Sequence, residues 1–397
     1  MIGLVLALAS VQANPVTDVI APGAKVVAVD AIVRLPALGA REYAAAKVMA
    51  ETMADEVDGY SQGDMRDMGA RAGESLKITL MPDHIRIEFG ALPAEADTAI
   101  SYVGHILKNS RFPEDSIAKA EAEIPFRKKS LWATAIQPVK FDFRRVRRED
   151  VLDMYHRICR PENVWLCVGG PIDARDAENA WSAVLADWTV TKPPRLPANP
   201  TPLGEASDVP GRETMVELRG SSFPGNDPAM PTKLLALIGL GCGKGAAMFQ
   251  TLRETEGWSY RQEAFLWPTP EGFEPRLIMA SGDKTAPDDL AKGMRDQLIL
   301  AVKNWDASDL ARAEGMAQGI FERGFAMSPL YFNSSWPISG SLEDETFLAG
   351  YWTMKTGSPW NASRMLGEMA LVSLSDFKDA AMEILTDSKA HVLPARG

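Results

Sequence analysis

The sequence predicts an α+β protein of two homologous domains, 14–191 and 214–397. Three observations carry this expectation. The chain has 397 residues, more than one hydrophobic core ordinarily organises, so two or more domains are expected. The stretch 192–213 holds Pro193, Pro194, Pro197, Pro200 and Pro202, then Pro210-Gly211, with little periodicity. Such a stretch is a stiff extended linker. Each half also closes on a related piece. A helix opening at Arg148-Glu149-Asp150 precedes the apolar run at Val164–Gly170, and a helix over Leu374–Leu385 precedes Ala390–Leu393.

Composition bounds the function. Hydrophobic residues make up 46% and charged residues 24%, as in an ordinary soluble globular protein. A net charge of −11 argues against nucleic acid as the main partner and leans toward basic peptides. Cys159, Cys167 and Cys242 form no disulfide framework, and no Cys-x-x-Cys spacing offers a structural zinc site. Met1–Ala13 is apolar and ends in small residues before Asn14-Pro15. It fits a secretory signal cleaved after Ala13. No stretch reaches 18 apolar residues, so no transmembrane span is expected. The place implied is the periplasm or the exterior.

The elements follow in order. Lys25–Leu38 alternates and is rich in Val and Ile, a strand. Glu42–Val57 carries Ala and Met on one stripe, a helix. Met65–Gly73 is helical, and Lys77–Met81 with Ile85–Gly90 form a hairpin around Pro82-Asp83. Helices follow over Glu95–Leu107 and Glu114–Phe126. Arg127, Lys128, Lys129, Lys140, Arg144, Arg145, Arg147 and Arg148 make a basic cluster. A solvated face accounts for such a run more readily than an acidic partner or anionic lipid. After Asn163 an apolar strand leads into a helix ending near Trp188. In the second half, Thr214–Arg219 is a strand, Lys233–Leu240 a helix, Leu277–Ala280 a strand, and 286–303 and 307–325 helices. Asn333-Ser334-Ser335 is formally a glycosylation sequon.

The most informative stretch is Gly239–Gln262. Gly239, Gly241, Gly243 and Gly245 alternate, Ala246, Phe249, Leu252 and Arg253 follow at helical spacing, Gly257 breaks the helix, and Trp258-Ser259-Tyr260 starts an extended segment. Glycines before a helix let backbone amides approach an oxygen closely. A phosphate loop needs a hydroxyl after the lysine, but Gly245 and Ala246 follow Lys244. Arg253 and Tyr260 could share one surface and grip a peptide carbonyl. The same residues also fit an arginine capping a helix end beside a core tyrosine.

Gly-x-Gly-x-Gly followed by Met-Phe-Gln-Thr-Leu-Arg-Glu-x-x-Gly-x-x-Tyr resembles the second-half signature of the pitrilysin/insulinase zinc peptidases, which include mitochondrial processing peptidase. The resemblance spans about Val26–Leu393. It implies two domains of the LuxS/MPP-like metallohydrolase fold. Each would be a mixed, mostly antiparallel sheet with helices packed on one face, and the two would face each other across a cavity. It also implies that Arg253 and Tyr260 hold substrate, with Gly241, Gly243 and Gly245 beside them. In the family the first helix carries His-x-x-Glu-His. The best match here is Ala46-Lys47-Val48-Met49-Ala50, with neither histidine and no glutamate. His84, His105, His156 and His391 lie too far apart to replace it, and Glu123 falls near the third ligand's place. No metal and no cofactor are therefore expected. The resemblance implies a non-catalytic subunit that pairs with a zinc-bearing homologue, or with itself, and helps bind peptide. A structural scaffold or a stand-alone peptide binder is the alternative.

Overall fold

In a computed structural model, residues 14–72, 76–124, 146–188, 213–282, 285–323, 341–393 and 395 are described. The first half contains β1 (Thr17–Ile20), β2 (Val27–Arg34), α1 (Ala40–Thr52), α2 (Gln62–Ala72), β3 (Lys77–Leu80), β4 (His84–Ala91), α3 (Ala96–Asn109), α4 (Glu114–Glu123), α5 (Arg148–Ile158), β5 (Val164–Gly170) and α6 (Ala174–Ala186). The second contains β6 (Thr214–Arg219), β7 (Phe223–Pro224), α7 (Met230–Gly241), a π-helical turn (Met248–Thr255), β8 (Arg261–Thr269), β9 (Gly272–Ser281), α8 (Pro287–Asn304), α9 (Ala307–Arg323), α10 (Leu342–Thr356), α11 (Ala362–Met369), α12 (Leu374–Thr386) and β10 (Lys389–Leu393).

Two sheets result. The first runs β1-β5-β2-β4-β3, with β1 parallel to β5 and every other pair antiparallel. In the second, β6 lies between β10 and β9, β8 pairs on the far side of β9, and β7 continues along the edge of β9 that β6 occupies. The core orders β5-β2-β4-β3 and β10-β6-β9-β8 are one topology used twice. In each, β2 or β6 pairs with the second strand of a hairpin on one side and with the half's closing strand on the other. The two homologous α+β domains expected from the sequence are present.

Strand alternation sorts the side chains. In the first sheet Val27, Val29, Ala31, Val33, Ile85, Ile87, Phe89, Val164, Leu166 and Val168 enter one core with α1, α3, α5 and α6. In the second, Val216, Leu218, Leu277, Met279, Ala264 and Leu266 pack with α7, α8, α9 and α12. Cys159, Cys167 and Cys242 are all free and buried.

Helix α10 has no counterpart among the sequence-based expectations. It belongs to the second half by sequence, yet it lies on the open face of the first sheet, against β1, β2 and β5. Thr346 to Trp352 are buried without interruption, as expected of a helix enclosed on all sides. Small residues let it sit close. A Cβ on Gly350 would stand 1.6 Å from Cys167 Sγ, and one on Gly169 would stand 2.0 Å from Thr346 Oγ1. Strand β1, the short β7 and helix α11 are likewise unanticipated. Met1–Ala13, the Pro-rich linker up to Arg212, Arg127 to Arg145 of the basic cluster and the sequon at Asn333 lie outside the described residues. Of the cluster, Arg148 is exposed and donates to the carbonyls of Phe112 and Arg111 at 2.8 Å each.

Candidate functional site

The glycine run is more helical than its spacing suggests. Gly239 and Gly241 lie inside α7, whose last turn rests on β8. A Cβ on Gly241 would fall 2.2 Å from Ala264 Cβ and 2.7 Å from its amide nitrogen. Gly243 has φ +84°, and its Cβ would meet Met316 Cε at 2.3 Å. On Gly245 a Cβ would meet Arg312 Cδ at 2.3 Å. Close packing therefore favours glycine at all three positions, most strictly at Gly241, where the neighbour is the backbone of β8.

Beyond them the chain winds into the π-helical turn Met248–Thr255, where the Glu256 amide donates to the Thr251 carbonyl at 2.9 Å. Two rows of side chains run along it. Met248 and Leu252 are fully buried, whereas Phe249 and Arg253 point outward and are partly exposed. The chain then reverses at Gly257, φ +67°. The amides of Trp258 and Ser259 both donate to the Leu252 carbonyl, at 2.9 and 3.3 Å. Trp258 fills the space over Gly293 of α8. Ser259 is buried and donates to the carbonyls of Arg261 and Ala280 at 2.7 and 2.8 Å. These anchors deliver Tyr260 to the surface beside Arg253.

The structure brings Arg253 and Tyr260 together. The guanidinium carbon lies 5.3 Å from the Tyr260 ring centroid and 4.8 Å from that of Phe249. Glu254 approaches Arg253 Nε only to 3.6 Å. Tyr260 is 78% exposed, so it is no core tyrosine beside a capping arginine. The pair presents guanidinium N–H donors and a phenol to solvent, a donor set that suits a carbonyl or carboxylate oxygen. Phe249 is the member that reading the sequence for chemistry passes over.

The positions corresponding to the zinc motif do not fit a metal. Ala46, Met49 and Ala50 are buried in the first core, and Lys47 pairs with Glu51 at 2.7 Å. Among the described residues, no group of three His, Cys, Asp or Glu side chains could hold a metal ion. Glu123 is exposed at the end of α4.

A second polar cluster is buried where α10 meets the first sheet. Asp83 faces His84 Nδ1 at 2.8 Å and Lys355 Nζ at 2.5 Å, and accepts from the Tyr351 hydroxyl at 3.1 Å. Lys355 also donates to the carbonyls of Thr269 and Gly272 in the β8–β9 turn. Arg86 binds Asp30 through Nε at 2.5 Å and lies over Phe347 at 4.4 Å. Burial alone would raise the Asp83 carboxyl, but His84 and Lys355 outweigh it and hold it below its usual value. Burial, with the nearby Lys355 and Arg86 cations, holds the His84 imidazole below its usual value against the pull of Asp83. His84 Nε2 has no hydrogen-bond partner. Away from both clusters, an open cleft of about 580 Å³ lies between 225–232, the end of α10 and α11. Its Asp227 is already paired with Lys233 at 2.9 Å.

Among the described residues no helix is long and apolar enough to cross a membrane. No curated protein matches the sequence. Residues 145–315 match the family described as the peptidase M16 inactive domain. The fold superposes on the peptidase M16 inactive domain from Pseudomonas fluorescens with a TM-score of 0.73 at 14% identity, covering 97% of this chain and 98% of that one. A protease from Helicobacter pylori gives a TM-score of 0.72 at 14% identity, covering 96% and 95%. An M16-like peptidase from Alicyclobacillus acidocaldarius gives 0.68 at 12%, covering 97% and 98%. The sequence is thus similar to the M16 inactive-domain family over residues 145–315, and the fold is similar to those of solved M16 structures along nearly its whole length.

Proposed function

We propose that this chain is the non-catalytic member of a peptidase pair. A zinc-bearing M16 homologue supplies the metal and the attacking water, and this chain holds the peptide through Arg253 and Tyr260. The supporting observation is their placement: two donors side by side at the surface, reached by a chain reversal that buried residues hold in place. The first helix adds support from the other direction, since Ala46, Met49 and Ala50 provide no imidazole or carboxylate where the family's zinc motif would stand. Gly241, Gly243 and Gly245 precede the turn that carries Arg253, and close packing gives a second reason for glycine at each of them. We place the pair in the periplasm or outside the cell, on the leader-like sequence Met1–Ala13.

The test is co-expression with a His-x-x-Glu-His homologue from the same organism, followed by cleavage of quenched-fluorescent peptides. Arg253→Ala should lower turnover on the order of tenfold, the scale of losing hydrogen bonds to a charged donor. The pair should still co-elute in gel filtration. Turnover equal to the native pair's would remove Arg253 from the mechanism. Elemental analysis of this chain purified alone should find no stoichiometric zinc, and one zinc per chain would end the reading.

A further inference from the structure

Resting on that reading, we infer that Phe249 is a positioning residue, holding the Arg253 guanidinium against Tyr260 before any peptide arrives. Arg253 Cζ stands over two rings, Phe249 at 4.8 Å and Tyr260 at 5.3 Å. Both distances are within the roughly 6 Å at which a guanidinium is attracted to an aromatic face. The two rings reach it from opposite directions along the chain. Phe249 is four residues before Arg253 in the π-helical turn, and Tyr260 is seven after it, beyond the reversal at Gly257. Tyr260 is 78% exposed and is itself free to turn. Phe249 is partly buried and shares the turn with Arg253, so it is the more constrained ring of the two. Glu254, at 3.6 Å and itself half-exposed, is too distant to orient the guanidinium by a hydrogen bond. An arginine at the surface loses side-chain freedom when it grips a ligand. A ring already under its guanidinium removes part of that cost in advance, because pre-organised groups spend less on ordering at the moment of binding.

Two measurements separate this inference from the function on which it rests. The first needs no partner or substrate. In the full chain labelled with ¹⁵N-arginine, the Arg253 Nε–H resonance, assigned by its loss in Arg253→Lys, should show a heteronuclear NOE typical of an ordered group. Phe249→Leu, which keeps an apolar side chain of similar bulk, should drop that NOE to the level of other exposed arginines. Phe249→Tyr, which restores a ring, should recover it. Circular dichroism and melting temperature check that both variants fold. An NOE unchanged in Phe249→Leu, or one low in the native chain, overturns the inference.

The second measurement is peptide cleavage by the reconstituted pair. Phe249→Leu should lower kcat/KM about three- to tenfold, the range of a cation–π contact at a partly exposed site, and Phe249→Tyr should restore it. If Arg253→Ala impairs cleavage while Phe249→Leu does not, the positioning role fails and the function stands. If Phe249→Leu disorders Arg253 while Arg253→Ala leaves cleavage intact, the positioning stands and the function fails.

Discussion

Gly243 and Gly257 bracket the turn that carries Arg253, and they are constrained differently. Both adopt positive φ, +84° and +67°, which a side chain disfavours. Around Gly257 there is open space, whereas a Cβ on Gly243 would meet Met316 Cε at 2.3 Å. Gly257→Ala should therefore cost about 1 kcal/mol from the backbone alone. Gly243→Ala should cost more, about 2 kcal/mol, because Met316 must also move. Chemical denaturation of the two variants checks the order, and equal losses would mean that Met316 yields freely. At this scale the sequence was legible in part. Arg253 and Tyr260 stood out because a break at Gly257 between a cation and a phenol is a local pattern. Phe249 did not, since an aromatic at helical spacing reads as core. The glycines were read as letting backbone amides approach an oxygen, and the structure adds a second reason for them, the closeness of Ala264, Met316 and Arg312. Those neighbours are up to about seventy residues away in the chain, and no local pattern points to them.

Helix α10 carries the largest discrepancy among the elements. Its ends were written plainly. The Ser341 side chain accepts from the Asp344 amide, Glu343, Asp344 and Glu345 fill the first turn, and Gly357 closes it at φ +79°. Its destination was not written anywhere local. On β4, His84, Arg86 and Glu88 alternate with Ile85, Ile87 and Phe89, the usual signature of one wet and one dry face. Here the face with the polar side chains is roofed by α10, and His84 and Arg86 are buried. Only the tertiary fold reveals that. The same closeness makes a prediction. Gly350→Ala would drive a methyl group into Cys167 Sγ, and the helix must lift from β5. A loss of about 2–3 kcal/mol is expected. Cys167→Ala in the same chain should recover part of it by removing the obstructing sulfur, and a denaturation midpoint equal to that of Gly350→Ala alone would place the strain elsewhere.

Across the whole molecule, the Asp83 cluster ties three parts together: the first hairpin, α10 and the β8–β9 turn. Its behaviour with pH follows from His84. Asp83 can only accept while ionised, so Nδ1 donates to it and the unpaired Nε2 carries no proton in the neutral ring. Because the folded pKa of His84 lies below its ordinary value, acidification protonates the unfolded chain first. Stability contributed by this group is present above about pH 6.5 and is lost as the pH falls. From pH 7.5 to 6 this group's contribution should therefore decline. Burial pushes the Asp30 carboxyl up to about 6 despite Arg86, and from roughly pH 7 downward it acts in the opposite sense and offsets part of the loss, since the folded state takes up its proton first. The window therefore ends at pH 6. His105, also lowered chiefly by burial, contributes to the native slope. His84→Gln should flatten the decline of melting temperature across the window relative to the native chain. A slope identical to the native one would assign the decline to other groups. The duplication was legible, because each half closes on a related helix and apolar strand on either side of a Pro-rich linker. The bond between the halves was not, because it depends on a helix from one closing the sheet of the other.

That exchange has a consequence for how the protein is made. A ribosome completes β5 of the first sheet well before it reaches Leu342. Throughout that interval the emerging polypeptide shows Ile32, His84, Arg86 and Cys167 on an uncovered side. The N-terminal portion cannot finish maturing ahead of the rest, and vectorial synthesis gives it no head start.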